Sequence, residues 1–231
     1  MDGISIIIPC DRERIPLLQI TLEKYLEFDM HKVEILIVTR TIESMEEIIE
    51  NELLPIRLIK YNDGGPYFNP ARALNLGVSR AYYDNIIITG PEVKPITNII
   101  EQFKSLPKGN YVCQVFDLNQ DGSIRLSLVN KNFRGDTPGF CFLAMYRKED
   151  IIAINGWDEQ FCDGKAYEDE DFGKRWVRAG IPFEVREDIQ ANHQWHLRND
   201  VKKGLEINKK IMDQHDSCGL IRAERGFNLY E

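Results

Sequence analysis

Ile4-Ser5-Ile6-Ile7-Ile8-Pro9 and Val33-Glu34-Ile35-Leu36-Ile37-Val38-Thr39 are nearly continuous apolar runs of strand length. Such a run, too short for a helix and lacking alternation, suits a strand buried on both faces. Between them Ile15, Leu18, Leu22 and Leu26 recur at helical spacing on one face. A second helix is expected over Glu43 to Leu53 and a third strand over Ile56 to Lys60. Asn69-Pro70 supplies a cap and a first-turn proline for a helix reaching about Tyr83. Ile86 to Thr89 reads as a fourth buried strand, closed by Gly90-Pro91. Strands separated by helices of this length build a parallel sheet covered on both faces, which binds ligands at the carboxyl ends of its strands.

The second half changes character. Tyr111 to Leu118 and Ser123 to Asn130 flank Asn119-Gln120-Asp121-Gly122, a hairpin signal. Phe140 to Tyr146 reads as a strand, and a short helix from Lys148 ends near Asn155-Gly156. A helix opening near Glu168 stops at Gly180 with Pro182 beyond, and a polar helix runs from about Asp200 to Gln214. No repeat or linker interrupts the chain, so residues 1–197 read as one α/β domain with a C-terminal helix and tail, 198–231, packed on it.

Composition narrows the function. The 231 residues carry 29 basic and 37 acidic side chains, a formal charge of −8, which disfavours broad binding to nucleic-acid phosphates. An acidic protein that handles a diphosphate is helped by a bridging divalent cation. Five cysteines, odd in number and without C-x-x-C spacing, argue against a disulfide framework or a structural zinc site and fit a reducing compartment. No secretory signal is visible, and every apolar run falls far short of the roughly 20 residues of a membrane span. The expected location is cytoplasmic.

The chemistry concentrates late. Gly164-Lys165-Ala166-Tyr167-Glu168-Asp169-Glu170-Asp171-Phe172 follows Trp157-Asp158-Glu159 and precedes His193-Gln194-Trp195-His196. Adjacent carboxylates repel unless a cation or a proton in transit sits among them. Carboxylates followed by imidazoles can bind a divalent metal and also supply a general base. A helix dipole alone also favours acidic residues in the first turn, so the cluster has a structural reading as well.

In this order the residues resemble the GT-A glycosyltransferases, family 2-like, similar to galactosyl- and N-acetylgalactosaminyl-transferase domains. The resemblance runs from Ile4 to His196. It rests on Ser5-Ile6-Ile7-Ile8-Pro9-Cys10-Asp11-Arg12, on Asn69-Pro70-Ala71-Arg72-Ala73-Leu74-Asn75-Leu76-Gly77, and on the late acidic and histidine motifs. It implies a nucleotide-diphospho-sugar transferase fold, α/β, with a mostly parallel central sheet and helices on both faces. It also implies transfer of a sugar from a nucleotide-sugar donor, a UDP-sugar favoured, to an acceptor hydroxyl, by an inverting and divalent-metal-dependent route.

Two departures stand out. Family members carry Asp-x-Asp after the fourth strand, where this chain has Gly90-Pro91-Glu92; at the end of the second strand, paired aspartates are replaced by Thr39-Arg40. The resemblance thus leaves Glu92, His193 and His196 as ligands for Mn²⁺ or Mg²⁺, and Asp169 as the base with Glu168 beside it. Pro9, Asp11, Thr39, Asp63, Arg72, Asn75, Glu92 and Trp157 are expected to bind the donor, Trp157 as a platform for the sugar. The loop from Asn132 to Gly139 is expected to wall the acceptor. Two other readings compete: a catalytically degenerate nucleotide- or sugar-binding relative, and a nucleotidyltransferase, which the glycine-free Cys10-Asp11-Arg12-Glu13-Arg14 disfavours.

Overall fold

The computed structural model describes residues 3–41, 53–61, 67–129, 138–197 and 202–227. A nine-stranded sheet organises them, and its amino-terminal half is parallel. β1 (Ile4–Cys10) lies between β2 (Val33–Thr39) and β4 (Asn85–Thr89), with β3 (Ile56–Lys60) outside β2. The other half is mixed. β8 (Leu143–Arg147) runs antiparallel to β4 and to β6 (Tyr111–Leu118). β6 then pairs in parallel with β9 (Glu184–His193), against whose end β5 (Val93–Pro95) packs antiparallel. β7 (Ile124–Ser127) returns on β6 as the expected hairpin.

Side chains alternate across a strand, so each apolar run feeds two cores. Ile4, Ile6, Ile8, Ile35 and Ile37 face one layer with α1 (Ile15–Tyr25) and α3 (Ile99–Ser105). Ile7, Leu36, Val38, Ile86 and Ile88 face the other with α2 (Pro70–Arg80), α4 (Lys148–Ala153) and α5 (Glu168–Arg178). This double burial is the reason those runs contain no polar alternation. Helix α2 lies so close to the sheet that a Cβ on Gly77 would stand 2.4 Å from Ile7 Cγ2. The Asn69 side chain caps α2 as expected, accepting from Ala71 N at 3.0 Å, and the helix ends at Arg80, ahead of the expected Tyr83.

Several boundaries move. The strand expected from Phe140 begins at Leu143, and the C-terminal helix α6 spans Lys202–Cys218. Strands β5 and β9 and helix α3 carry no distinct sequence signal. The helix expected over Glu43 to Leu53 lies almost wholly outside the described residues, as do Asp63 and most of the Asn132 to Gly139 loop. Among the described residues no helix is long and apolar enough to cross a membrane.

Candidate active site

The carboxyl ends of β1 and β4 open into a cavity of about 230 Å³ whose lining includes Pro9, Asp11, Arg14, Glu92, Glu168 and Asp169. Sequence positions as far apart as 9 and 169 therefore meet on one wall, at the edge where a parallel sheet ends its strands.

Glu92 arrives through the Gly90-Pro91 turn. The turn is tied to α1, where Thr21 Oγ1 donates to Pro91 O at 2.8 Å. Pairing of β5 with β9 then sets Val93 opposite His193, and Gln194 N donates to Glu92 O at 2.8 Å. As a result His193 Nε2 stands 3.5 Å from Glu92 Oε1. His196 joins them: one ligand atom from each of Glu92, His193 and His196 lies within 4.8 Å of the others. Glu92 Oε2 is buried and accepts no hydrogen bond from the described residues. A buried carboxylate oxygen in that state carries an energetic cost that a bound cation would remove. The donor set fits a divalent metal.

Burial opposes charge on both Glu92 and His193, but His193 holds the Glu92 carboxyl below its usual range, and Asp117 together with Glu92 holds the imidazole above. Burial pushes His196 the other way, down, which keeps that ring neutral as a ligand must be. Gly90 matters here because a Cβ at that position would sit 3.3 Å from Glu92 Cδ.

Glu168 and Asp169 open α5 from an uncommon bend. Ala166 (φ 59°) and Tyr167 (φ 72°) are both left-handed, a conformation that costs a non-glycine residue about 1–2 kcal/mol. Helix α6 holds the bend: Asn208 Nδ2 donates to Ala166 O at 2.7 Å and to Phe161 O at 2.9 Å, and Lys165 N donates to Gly204 O. Asn208→Ala takes this donor from both carbonyls, leaving Phe161 O its bond from Gly164 N, so unfolding in urea is expected to show a loss of about 1–3 kcal/mol. Glu168 Oε2 accepts from Asn69 Nδ2 at 3.1 Å, fastening the start of α5 to that of α2. Cys141 lines the same cavity, and burial, with the charges of Asp169 and Glu168 added, pushes its thiol well up.

The other two acidic residues of the motif serve the scaffold. Glu170 pairs with Lys174 at 3.1 Å, and Asp171 is buried between Arg175 Nε at 2.7 Å and His215 Nδ1 at 2.8 Å. Three of the expected donor contacts also face inward. Trp157 is 0% exposed and stacks on Phe172 at 4.2 Å, so it belongs to the core and not to the cavity wall. Asn75 Oδ1 accepts from Trp157 N, and its Nδ2 donates to Trp157 O and Glu159 Oε1. Arg72 Nε donates to Glu159 Oε2 at 2.8 Å. Arg72 and Asn75 thus dock the Trp157-Asp158-Glu159 loop on α2, and neither lines the cavity.

Asp11 caps the short 3-10 turn Arg12–Arg14 through Oδ1, while its Oδ2 accepts from Arg40 Nη2 at 3.0 Å. Thr39 is buried, its hydroxyl accepting from Thr41 N. Arg14 was not legible from sequence. It lines the cavity, acts electrostatically on Glu92, and makes no ion pair among the described residues. Asp117 was missed as well: its Oδ1 lies 2.9 Å from His193 Nδ1. The one available signal is the parallel pairing of β6 and β9, which no local pattern announces.

Solved structures of the same shape include the mannosyltransferase PcManGT from Pyrobaculum calidifontis in complex with GDP-Man and Mn²⁺, with a TM-score of 0.60 and 16% identity over 85% of this chain. S. aureus TarS 1-349 in complex with UDP-GlcNAc aligns with a TM-score of 0.65 and 12% identity over 93%. The fold is the nucleotide-diphospho-sugar transferase fold. The chain spans 58% of the mannosyltransferase and 73% of the TarS fragment. No protein-family model and no curated protein matches the sequence.

Proposed function

We propose that the protein is a glycosyltransferase that moves a sugar from a nucleoside diphosphate sugar, a UDP-sugar favoured, to an acceptor hydroxyl with inversion. One observation carries the reading: Glu92 of a cation-fitting trio, Arg14, which makes no ion pair among the described residues, and the two carboxylates at a strained helix start line one cavity at the sheet edge. A bound divalent cation supplies charge stabilisation to the departing diphosphate. Glu92, His193 and His196 hold that cation, and two imidazoles in the set favour Mn²⁺ over Mg²⁺, which prefers oxygen. Pro9 and Asp11 lie where the nucleotide enters, and Arg14 faces the diphosphate as a fixed positive charge. Thr39 stands one strand away. Asp169 takes the acceptor proton as the hydroxyl oxygen bonds to the anomeric carbon and the bond to the diphosphate oxygen breaks. Glu168, braced by Asn69, holds the acceptor or sugar hydroxyls.

The hydrogen bonds from Asn208 support assigning 198–231 to the same domain as 1–197. Five free cysteines fit a cytoplasmic setting. A second reading, binding without turnover, has Gly90 in place of an acidic ligand as its support.

Thermal unfolding with UDP, GDP, CDP and TDP, each with and without Mn²⁺, tests the reading. A nucleotide at about 100 times its Kd adds roughly 2.7 kcal/mol, which for a chain of this size is a rise of about 5–11 °C in Tm. The expected rise needs both a uridine nucleotide and Mn²⁺, and shrinks in Arg14→Gln. No rise with any nucleotide in the folded protein would sink the donor site. Manganese-dependent turnover separates transferase from binding relative.

A further inference from the structure

We propose that Asp117 is the positioning residue of the metal site: it holds the proton of His193 on Nδ1, so that the Nε2 lone pair faces Glu92 and a cation between them. The inference rests on the metal-binding reading of Glu92, His193 and His196 and extends it to a residue outside the trio.

Three observations fix the ring. In the parallel register of β6 and β9, Asp117 is the direct partner of His193, and Asp117 Oδ1 stands 2.9 Å from His193 Nδ1. The other oxygen of Asp117 accepts from Arg125 Nε at 2.5 Å, so the carboxylate cannot turn away without breaking an ion pair. Phe142 meets the imidazole edge to face at 5.9 Å between centroids. With Nδ1 directed at β6, Nε2 is directed at Glu92 Oε1.

Neutral imidazole carries its proton on one nitrogen or the other, and only the Nδ1–H form leaves Nε2 able to ligate. Asp117 selects that form and raises the basicity of the ligating nitrogen, as carboxylates hydrogen-bonded to metal-bound histidines do generally. Its own 1% exposure makes the charge costly to bury alone, and Arg125 supplies the compensation. This gives the β6–β7 hairpin a purpose that its packing does not, since Ile124, Arg125 and Ser127 of β7 are exposed. Arg125, Asp117 and His193 also share a second cavity, of about 300 Å³, with Trp195 and His196.

The experiment uses two readouts on the full chain. Mn²⁺ is titrated, with free ion followed by electron paramagnetic resonance, into wild type, Asp117→Asn, Asp117→Ala and His193→Ala. Nitrogen-15 NMR reports the His193 tautomer in the metal-free protein at a pH where the ring is neutral. Asp117→Ala is expected to weaken Mn²⁺ binding about 10–100-fold and to move the proton to Nε2. Asp117→Asn keeps an acceptor oxygen without the charge, so its loss is smaller and the Nδ1–H form persists. If Asp117→Ala does not fold, Asp117→Asn and the wild-type tautomer decide.

Wild-type Mn²⁺ affinity in folded Asp117→Asn and Asp117→Ala overturns the proposal, as does a wild-type ring protonated on Nε2. Failure of the underlying reading looks different: no variant, wild type included, binds Mn²⁺. Failure of the Asp117 assignment alone leaves binding that His193→Ala abolishes and both Asp117 variants retain.

Discussion

Replacement of Asp169 by asparagine is expected to slow sugar transfer by about 10²–10⁴-fold, the range a positioned general base contributes. Nucleotide binding should be unchanged, because the amide has the same shape as the carboxylate. The choice of Asp169 over Glu168 follows from their surroundings. Glu168 is buried and engaged by Asn69, which suits a bracing role, whereas Asp169 is less buried on the same wall. The strained Ala166-Tyr167 bend makes sense in these terms, since it starts α5 with both carboxylates aimed into the cavity. Two measurements check the assignment: turnover from released nucleotide, and Kd by calorimetry. Near wild-type turnover in Asp169→Asn would remove the base from this position. Loss of nucleotide binding together with turnover would show a collapsed site instead of a missing base.

The largest effect on stability is expected from Asp171→Ala, two residues along the same helix. Arg175 is 0% exposed and its guanidinium is paired with Asp171; His215 from α6 closes the other side, with Asp158 further off at 4.0 Å. Removing the carboxylate leaves a buried guanidinium without its partner, a change that costs about 3–5 kcal/mol. For a chain of this size that is a fall of about 6–20 °C in Tm. The network also has a pH signature. Burial opposes the charge on His215, but Asp171 raises its imidazole above the usual value, so this contribution is complete below about 6.5 and fades as pH rises through the raised value. Burial likewise opposes the Asp171 charge, and Arg175 and His215 hold that carboxyl low. Its contribution is complete above about 4 and is lost as pH falls through the lowered value. His215→Gln should therefore flatten the decline in Tm on the alkaline side relative to wild type. An unchanged alkaline slope, with the variant folded, would remove His215 from the network.

Asp169 and Asp171 illustrate what a sequence can and cannot reveal. Both belong to one acidic run and look alike as text. Helical geometry then turns one toward the cavity and the other toward Arg175 four residues on, and packing of α6 supplies His215. Trp157 teaches the same lesson from the other side. Its neighbours suggested a sugar platform, yet an indole has no local mark that separates a binding face from a core face, and stacking on Phe172 decided the matter.

The sequence by itself determined the buried parallel strands, the capped α2, the hairpin and the acidic start of α5. Each of these is a local pattern of polarity, capping or turn chemistry, readable within a dozen residues. It also pointed to Glu92, His193 and His196, through a resemblance in motif order. Only the tertiary structure decided that Glu92 and His193 meet, because β5 must pair with β9 for them to do so. It likewise turned Arg72 and Asn75 toward Glu159, brought Arg14 to the cavity, and set Asp117 behind His193. Those contacts join residues tens of positions apart across strands and layers, and their energy appears only when the sheet closes, so no window of sequence contains them.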